Sequence, residues 1–160
     1  MSAATTKEFH TTPAVHRRMS THPRKDTIPE MALRRELHRR GLRYFVHRRP
    51  IAGLRREADI VFPRLHLAVF IDGCFWHGCP DHGGVPERND WYWKPKIEGN
   101  RARDIDTNER LAREGWTVLR FWEHESPLIA ADIVAKVVGS LGRSESGATV
   151  GKVNDCDGVS

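Results

Sequence analysis

The sequence has no long apolar run. Nothing in it approaches the roughly 18 consecutive apolar residues of a membrane span. Its first 19 residues carry basic side chains without the apolar centre of a secretory signal. Neither a membrane protein nor an exported one is expected; a cytoplasmic one is. Cysteine is also scarce, with three residues at positions 74, 79 and 156. So few thiols, odd in number and without an export signal, argue against a disulfide framework and leave metal ligation as their natural use. Internal repeats are absent. At 160 residues the chain has length for about one domain and one core.

What is present is unevenly placed. The net charge of +5 conceals a basic first third: residues 1–50 hold twelve Lys and Arg against four Asp and Glu, and the remainder holds fourteen against seventeen. A surface that grips a polyanion, beside a region that keeps carboxylates for chemistry, would have this layout. So would an Arg-rich helix face that merely stays solvated.

Residues 1–25 lack hydrophobic periodicity and read as a flexible basic arm. The run Asp26-Thr27-Ile28-Pro29-Glu30 has a capping side chain, a proline for the first turn and an acid facing the helix dipole. Leu33 and Leu37 lie one turn apart, and Gly41 closes the helix. Strands are expected over 42–47, 58–62 and 65–72, the last two as a hairpin split by Pro63-Arg64. Residues 73–90 form a polar loop that apolar burial alone would not order. A charged helix from Pro95 to Glu114, a strand over 116–122 and a helix from Pro127 through Leu141 follow. The tail over 142–160 is expected to be disordered. The order αβββ–loop–αβα describes an α/β domain over 26–141, a mixed sheet flanked by helices.

Three constellations carry chemistry. Asp59 and Asp72 stand on, or at the end of, neighbouring strands, where two carboxylates can share a Mg²⁺ ion; turn-forming aspartates are the plainer alternative. Cys74, Cys79 and His82 make a C-x4-C-x2-H run, which His124 could complete as a tetrahedral, structural Zn²⁺ site. Such an ion would supply the energy that orders the loop. Reduced thiols beside solvated imidazoles are the alternative. Phe75, Trp76, Trp91, Tyr92 and Trp93 bracket this loop. Rings so placed can wedge between base pairs or cover the edge of a core.

The block Phe70-Ile71-Asp72-Gly73-Cys74-Phe75-Trp76-His77-Gly78-Cys79 resembles the very-short-patch-repair (Vsr-type) DNA mismatch endonucleases. The resemblance continues through Tyr92-Trp93, Lys96-Ile97, Asn100, Arg103-Asp104, Leu111, Gly115-Trp116, Val118-Leu119 and Trp122-Glu123-His124. Upstream it includes Met19-Ser20, Asp26-Thr27 and Glu30, so that it spans about two-thirds of the chain. It implies a restriction-endonuclease-like, PD-(D/E)xK-type fold with a structural zinc loop. It also implies a Mg²⁺-dependent hydrolase that nicks one strand 5′ to the thymine of a T·G mispair, the product of 5-methylcytosine deamination.

Residue by residue, the resemblance implies Asp59 as the metal-binding aspartate, with the main-chain carbonyl of Ile71 as a second ligand. It implies His77 as the residue that activates or orients the attacking water, and Glu30 as support for the water and metal network. Phe75, Trp76 and Trp93 would intercalate beside the mispair; Cys74, Cys79, His82 and His124 would hold zinc. Two departures stand out. The strand end Phe70-Ile71-Asp72 lacks the lysine of an acid-x-Lys triplet, and Asp72 stands where some relatives carry histidine, so it either binds the catalytic metal or positions His77. Arg17, Arg18, Arg24, Lys25 and Arg34 are expected to hold phosphates. The implied partner is double-stranded DNA with a T·G mismatch, acted on by a nucleoid-associated monomer, with mismatch-repair proteins and a repair polymerase and ligase around it. A zinc-stabilised DNA-binding module without catalysis would leave Asp59 and His77 unemployed; a restriction-type nuclease would cut matched duplexes.

Overall fold

Helix α1 (Ile28–Arg39) has Thr27 as its N-cap, but contrary to expectation the Thr27 side chain makes no capping hydrogen bond. Glu30 accepts the Asp26 N–H at 2.9 Å through Oε2 and the Thr27 hydroxyl at 3.0 Å through Oε1. Glu30 thus ties down the entering chain from inside the first turn. At the other end Gly41 has φ +74, and the N–H groups of Gly41 and Leu42 reach the carbonyls of His38 and Leu37. That closure needs a left-handed residue, which glycine adopts without strain. The computed structural model describes residues 25–87 and 89–146, together with 12–14, 17 and 23.

Strands β1 (Phe45–Arg48), β2 (Ala58–Phe62) and β3 (Leu67–Asp72) form an antiparallel ribbon. The expected hairpin turns through a 3₁₀ segment, Pro63–Leu65. Strand β4 (Thr117–Trp122) joins β3 in parallel, giving the sheet order β1-β2-β3-β4. A parallel step needs a crossover. It is supplied by the one-turn helix α2 (Cys74–His77) and the long helix α3 (Asp90–Arg113), after which α4 (Pro127–Ser146) follows β4. Strand alternation sends Ile60, Phe62, Leu67, Val69 and Phe121 to one face, against Leu33 and Leu37 of α1 and Ala130, Ala131 and Val134 of α4. Val61, Ala68 and Phe70 pack instead with Leu54 and with Leu111 of α3. The result is a mixed four-stranded sheet with helices on both faces.

Several boundaries differ from expectation. β1 begins at Phe45 rather than 42, because Leu42 and Tyr44 pack against the core before strand pairing starts. Residues 74–77 and 90 are helical, not loop, and α3 begins at Asp90 rather than Pro95, which lies inside it. Helix α4 continues to Ser146, so residues 142–146 belong to it rather than to a tail; Val137, Val138 and Leu141 carry it along the core. Residues 147–160 with Cys156, and most of the arm with Arg18 and Arg24, lie outside the described residues. Among the described residues, no helix is long and apolar enough to cross a membrane.

Candidate active site

The ends of β2 and β3 bring Asp59, Ile71 and Asp72 together. The Ile71 N–H donates to Asp59 Oδ2 at 2.7 Å. Burial pushes the Asp59 carboxyl up from its ordinary 3.8 to about 6; the Ile71 N–H works against this rise, and the Glu30 and Asp72 carboxylates add to it. A buried carboxylate among others is one that a bound cation would relieve. Glu30, only 3% exposed, is held by Arg34 Nη2 at 3.1 Å. Glu30, Asp59, Ile71, Asp72 and His77 all line one open cleft of about 900 Å³, whose walls also carry Arg56, Lys96, Arg103 and Arg120. Arg56 and Arg120 are held by Asp106 and Asp72, which leaves Lys96 and Arg103 as the cations that suit a phosphate backbone. One carboxylate, one main-chain carbonyl and solvent make a set that Mg²⁺ accepts, so the residues fit that ion.

His77 stands at the end of α2, where Nδ1 is 2.6 Å from Asp104 Oδ2 of α3 and 3.8 Å from Asp72 Oδ1. Burial works against the imidazolium, but Asp104 and Asp72 outweigh it and hold His77 above its ordinary value, with the Arg120 guanidinium opposing them. With Nδ1–H given to Asp104, the neutral ring keeps its lone pair on Nε2. Asp72 is not free: Arg120 Nη1 lies 2.8 Å from each of its oxygens and 3.2 Å from Asp104 Oδ1.

A second cluster joins α2 and the loop after it to the end of β4. The donor atoms of Cys74, Cys79, His82 and His124 all lie within 4.8 Å of one another, with Cys74 Sγ 3.0 Å from His124 Nδ1. Bonds of about 2.0–2.3 Å in a tetrahedron place donors roughly 3.3–3.8 Å apart, so these two thiols and two imidazoles fit Zn²⁺. The loop is shaped around the cradle. Cys79 N–H reaches Cys74 O at 2.9 Å, and Gly83 N–H reaches Cys79 O at 2.8 Å. A Cβ at Gly83 would lie 2.3 Å from Cys79 N, so only glycine follows His82 here. From β4, Glu123 Oε1 accepts the Cys74 N–H at 2.7 Å. Burial, then the Cys79 thiol, push Cys74 up to about 11; a cation is what would return it to thiolate.

Helices α2 and α3 also bring together a set of rings. Phe75 meets Trp76 at 5.2 Å and Trp93 at 5.3 Å, and Trp76 meets Trp93 at 6.0 Å, all edge to face. Trp93 is buried, Phe75 and Trp76 are half-buried, and Trp76 also lines the cleft. Tyr92 and the exposed Trp91 continue the row along α3.

Of the residues expected to meet phosphates, Arg17 is exposed and Lys25 pairs with Glu57 at 2.5 Å. Arg34 differs from expectation: its guanidinium is buried between Asp26, Glu30 and His47, so it braces α1 instead of facing a backbone. Asp104 and Arg120 were not singled out from the sequence as site residues, although they complete the surroundings of His77. One signal for Arg120 was available. A guanidinium between Leu119 and Phe121 in an apolar strand requires an anionic partner nearby.

The family model described as DNA mismatch endonuclease Vsr matches residues 8–81. The type II nicking enzyme V.NaeI of Lentzea aerocolonigenes is 48% identical over 134 residues, covering 82% of this chain and 78% of that one. The type II nicking enzyme V.XorIIP of Xanthomonas oryzae pv. oryzae is 46% identical over 102 residues, covering 63% and 73%. The DNA mismatch endonuclease Vsr of Escherichia coli is 33% identical over 100 residues, covering 62% of each chain. A cleft lined by carboxylates, an imidazole and cations is what hydrolysis of a polyanion needs, and these likenesses say which hydrolase: the chain belongs to the Vsr family of DNA endonucleases.

Proposed function

We propose that this endonuclease nicks one strand of duplex DNA on the 5′ side of the thymine in a T·G mispair, by Mg²⁺-dependent hydrolysis, within very short patch repair. The observation that carries the reading is the convergence of Glu30, Asp59, Ile71, Asp72 and His77 on one cleft, with Trp76 of the ring cluster in its wall. The relatives' names support nicking, and that of the E. coli relative supports a mismatched substrate. In its sheet order and flanking helices the fold is compatible with the restriction-endonuclease-like class.

Mg²⁺ on Asp59 and the Ile71 carbonyl would supply charge to offset the pentacovalent phosphorus, together with a water of lowered pKa. The backbone lies along Lys96 and Arg103, aided by Arg17, Lys25 and the other basic residues of the arm. Phe75 and Trp76, already half-exposed, lead the rings into the stack beside the mispair, where unstacking costs less than in matched DNA. Trp93 follows once the ring cluster opens. His77 accepts the proton of the attacking water at Nε2 while Asp104 holds Nδ1–H, and Glu30 orients that water's surroundings. The leaving oxygen departs in line and takes a proton from solvent. Zn²⁺ on Cys74, Cys79, His82 and His124 would brace α2. One copy suffices for one nick, and a repair polymerase and ligase complete the patch.

End-labelled duplexes carrying T·G, the other mispairs or C·G, incubated with Mg²⁺ or EDTA, test the reading. Nicking confined to the thymine strand of T·G, and only with Mg²⁺, is expected. Cleavage of the C·G duplex, or nicking that survives EDTA, overturns it.

A further inference from the structure

We propose that Arg120 is a positioning residue for His77: by occupying both oxygens of Asp72, it keeps that carboxylate from drawing the imidazole away from Asp104. The inference rests on the reading of His77 as the group that handles the attacking water. Arg120 itself touches no reacting atom.

The strand register sets the arrangement. Arg120 of β4 pairs with Phe70 of β3, and its guanidinium carbon lies 4.5 Å from the centre of the Phe70 ring. Its Nε donates to Asn108 Oδ1 at 3.0 Å, so the fork is fixed before it meets any carboxylate. Asp104 divides its two oxygens, Oδ1 to Arg120 at 3.2 Å and Oδ2 to His77 at 2.6 Å. The Asp72 and Arg120 side chains are only 11% and 19% exposed. A carboxylate so withdrawn from water must take the nearest donor. Without Arg120 that donor is His77 Nδ1, 3.8 Å from Asp72 Oδ1. An imidazole that moved to Asp72 would shift by about the ångström that costs a reaction on the order of 10²-fold. Asp72 and Arg120 therefore work as a unit. An acid at the end of β3 requires a cation on β4, and Asp72 acts as a counter-ion, not a ligand of the catalytic metal.

The test compares R120M, R120K and D72N/R120M with the parent in single-turnover nicking of a T·G duplex at saturating enzyme. Duplex Kd is measured separately in EDTA, and folding is checked by circular dichroism. R120M should nick about 100-fold more slowly with Kd within about threefold of the parent, R120K should fall between, and D72N/R120M should recover to within about tenfold. Parental nicking by R120M, a loss confined to Kd, or a folded double variant no faster than R120M would each overturn the inference. If R120M does not fold, the double variant decides: a folded but inactive D72N/R120M removes the proposal. H77A is the control for the underlying reading. Parental nicking by H77A sinks that reading, whereas a slow H77A beside a normal R120M sinks only the role of Arg120.

Discussion

Asp59 carries a charge that its own surroundings resist. The folded carboxyl titrates near 6 and the unfolded one near 3.8, so the folded state holds the proton more tightly. In the absence of divalent cations, the contribution of Asp59 to stability is therefore greatest below pH 4, falls as pH rises to 6, and is level above that. D59N lacks this fall. It should exceed the parent by about 2 kcal/mol at pH 7 and match it at pH 4, as urea unfolding at the two values would register. Parity at pH 7 would mean an ordinary carboxyl. The same substitution should lower nicking by about 10³-fold or more while leaving T·G duplex affinity within a few-fold, measured by single-turnover kinetics and gel shift. At this scale the residues were legible where they sit in a compact motif, as with His77 and the cysteines. Arg120 and Asp104 were not, because their partners stand 48 and 27 positions away in the chain.

The loop that gathers Cys74, Cys79 and His82 is the element on which metal binding should be read. C79S should lose a stoichiometric zinc and lower Tm by about 5–15 °C, measured by atomic absorption and calorimetry. G83A keeps all four donors yet places a methyl against the backbone of Cys79, so it too should lose zinc. A G83A protein that retains zinc and Tm would show the loop to be slack. Helix ends were legible wherever glycine closes them: Gly41 and Gly115 both have the positive φ and the paired carbonyl bonds of that stop. The start of α3 was not. Proline favours a first turn, which points to Pro95, but burial of Trp93 against Phe75 stabilises an additional turn beginning at Asp90.

Across the whole molecule, periodicity reveals which side chains face inward but not which strands are neighbours. Branched apolar content and the Pro63-Arg64 break made the β2–β3 hairpin readable, whereas the parallel seating of β4 on β3 depends on α3 crossing one face. That seating is what gathers β2, β3 and α3 around one cleft. Binding should show the polyelectrolyte character of this surface. K96A and R103A should each weaken T·G and C·G duplexes alike and reduce the slope of log affinity against log salt by about 1. W76A should instead lower the preference for T·G over C·G, since ring insertion is favoured where pairing is faulty. Equal loss on both duplexes would assign Trp76 to packing alone.

The single turn that is α2 also limits how this protein can diverge. Its four consecutive residues leave the axis about 100° apart, so Cys74 reaches the thiol cradle, Phe75 and Trp76 the rings, and His77 the cleft. One residue gained or lost between Gly73 and Gly78 would re-aim all of them together. Homologues should therefore align there without gaps, while length variation collects after Gly84, where an added side chain meets open space.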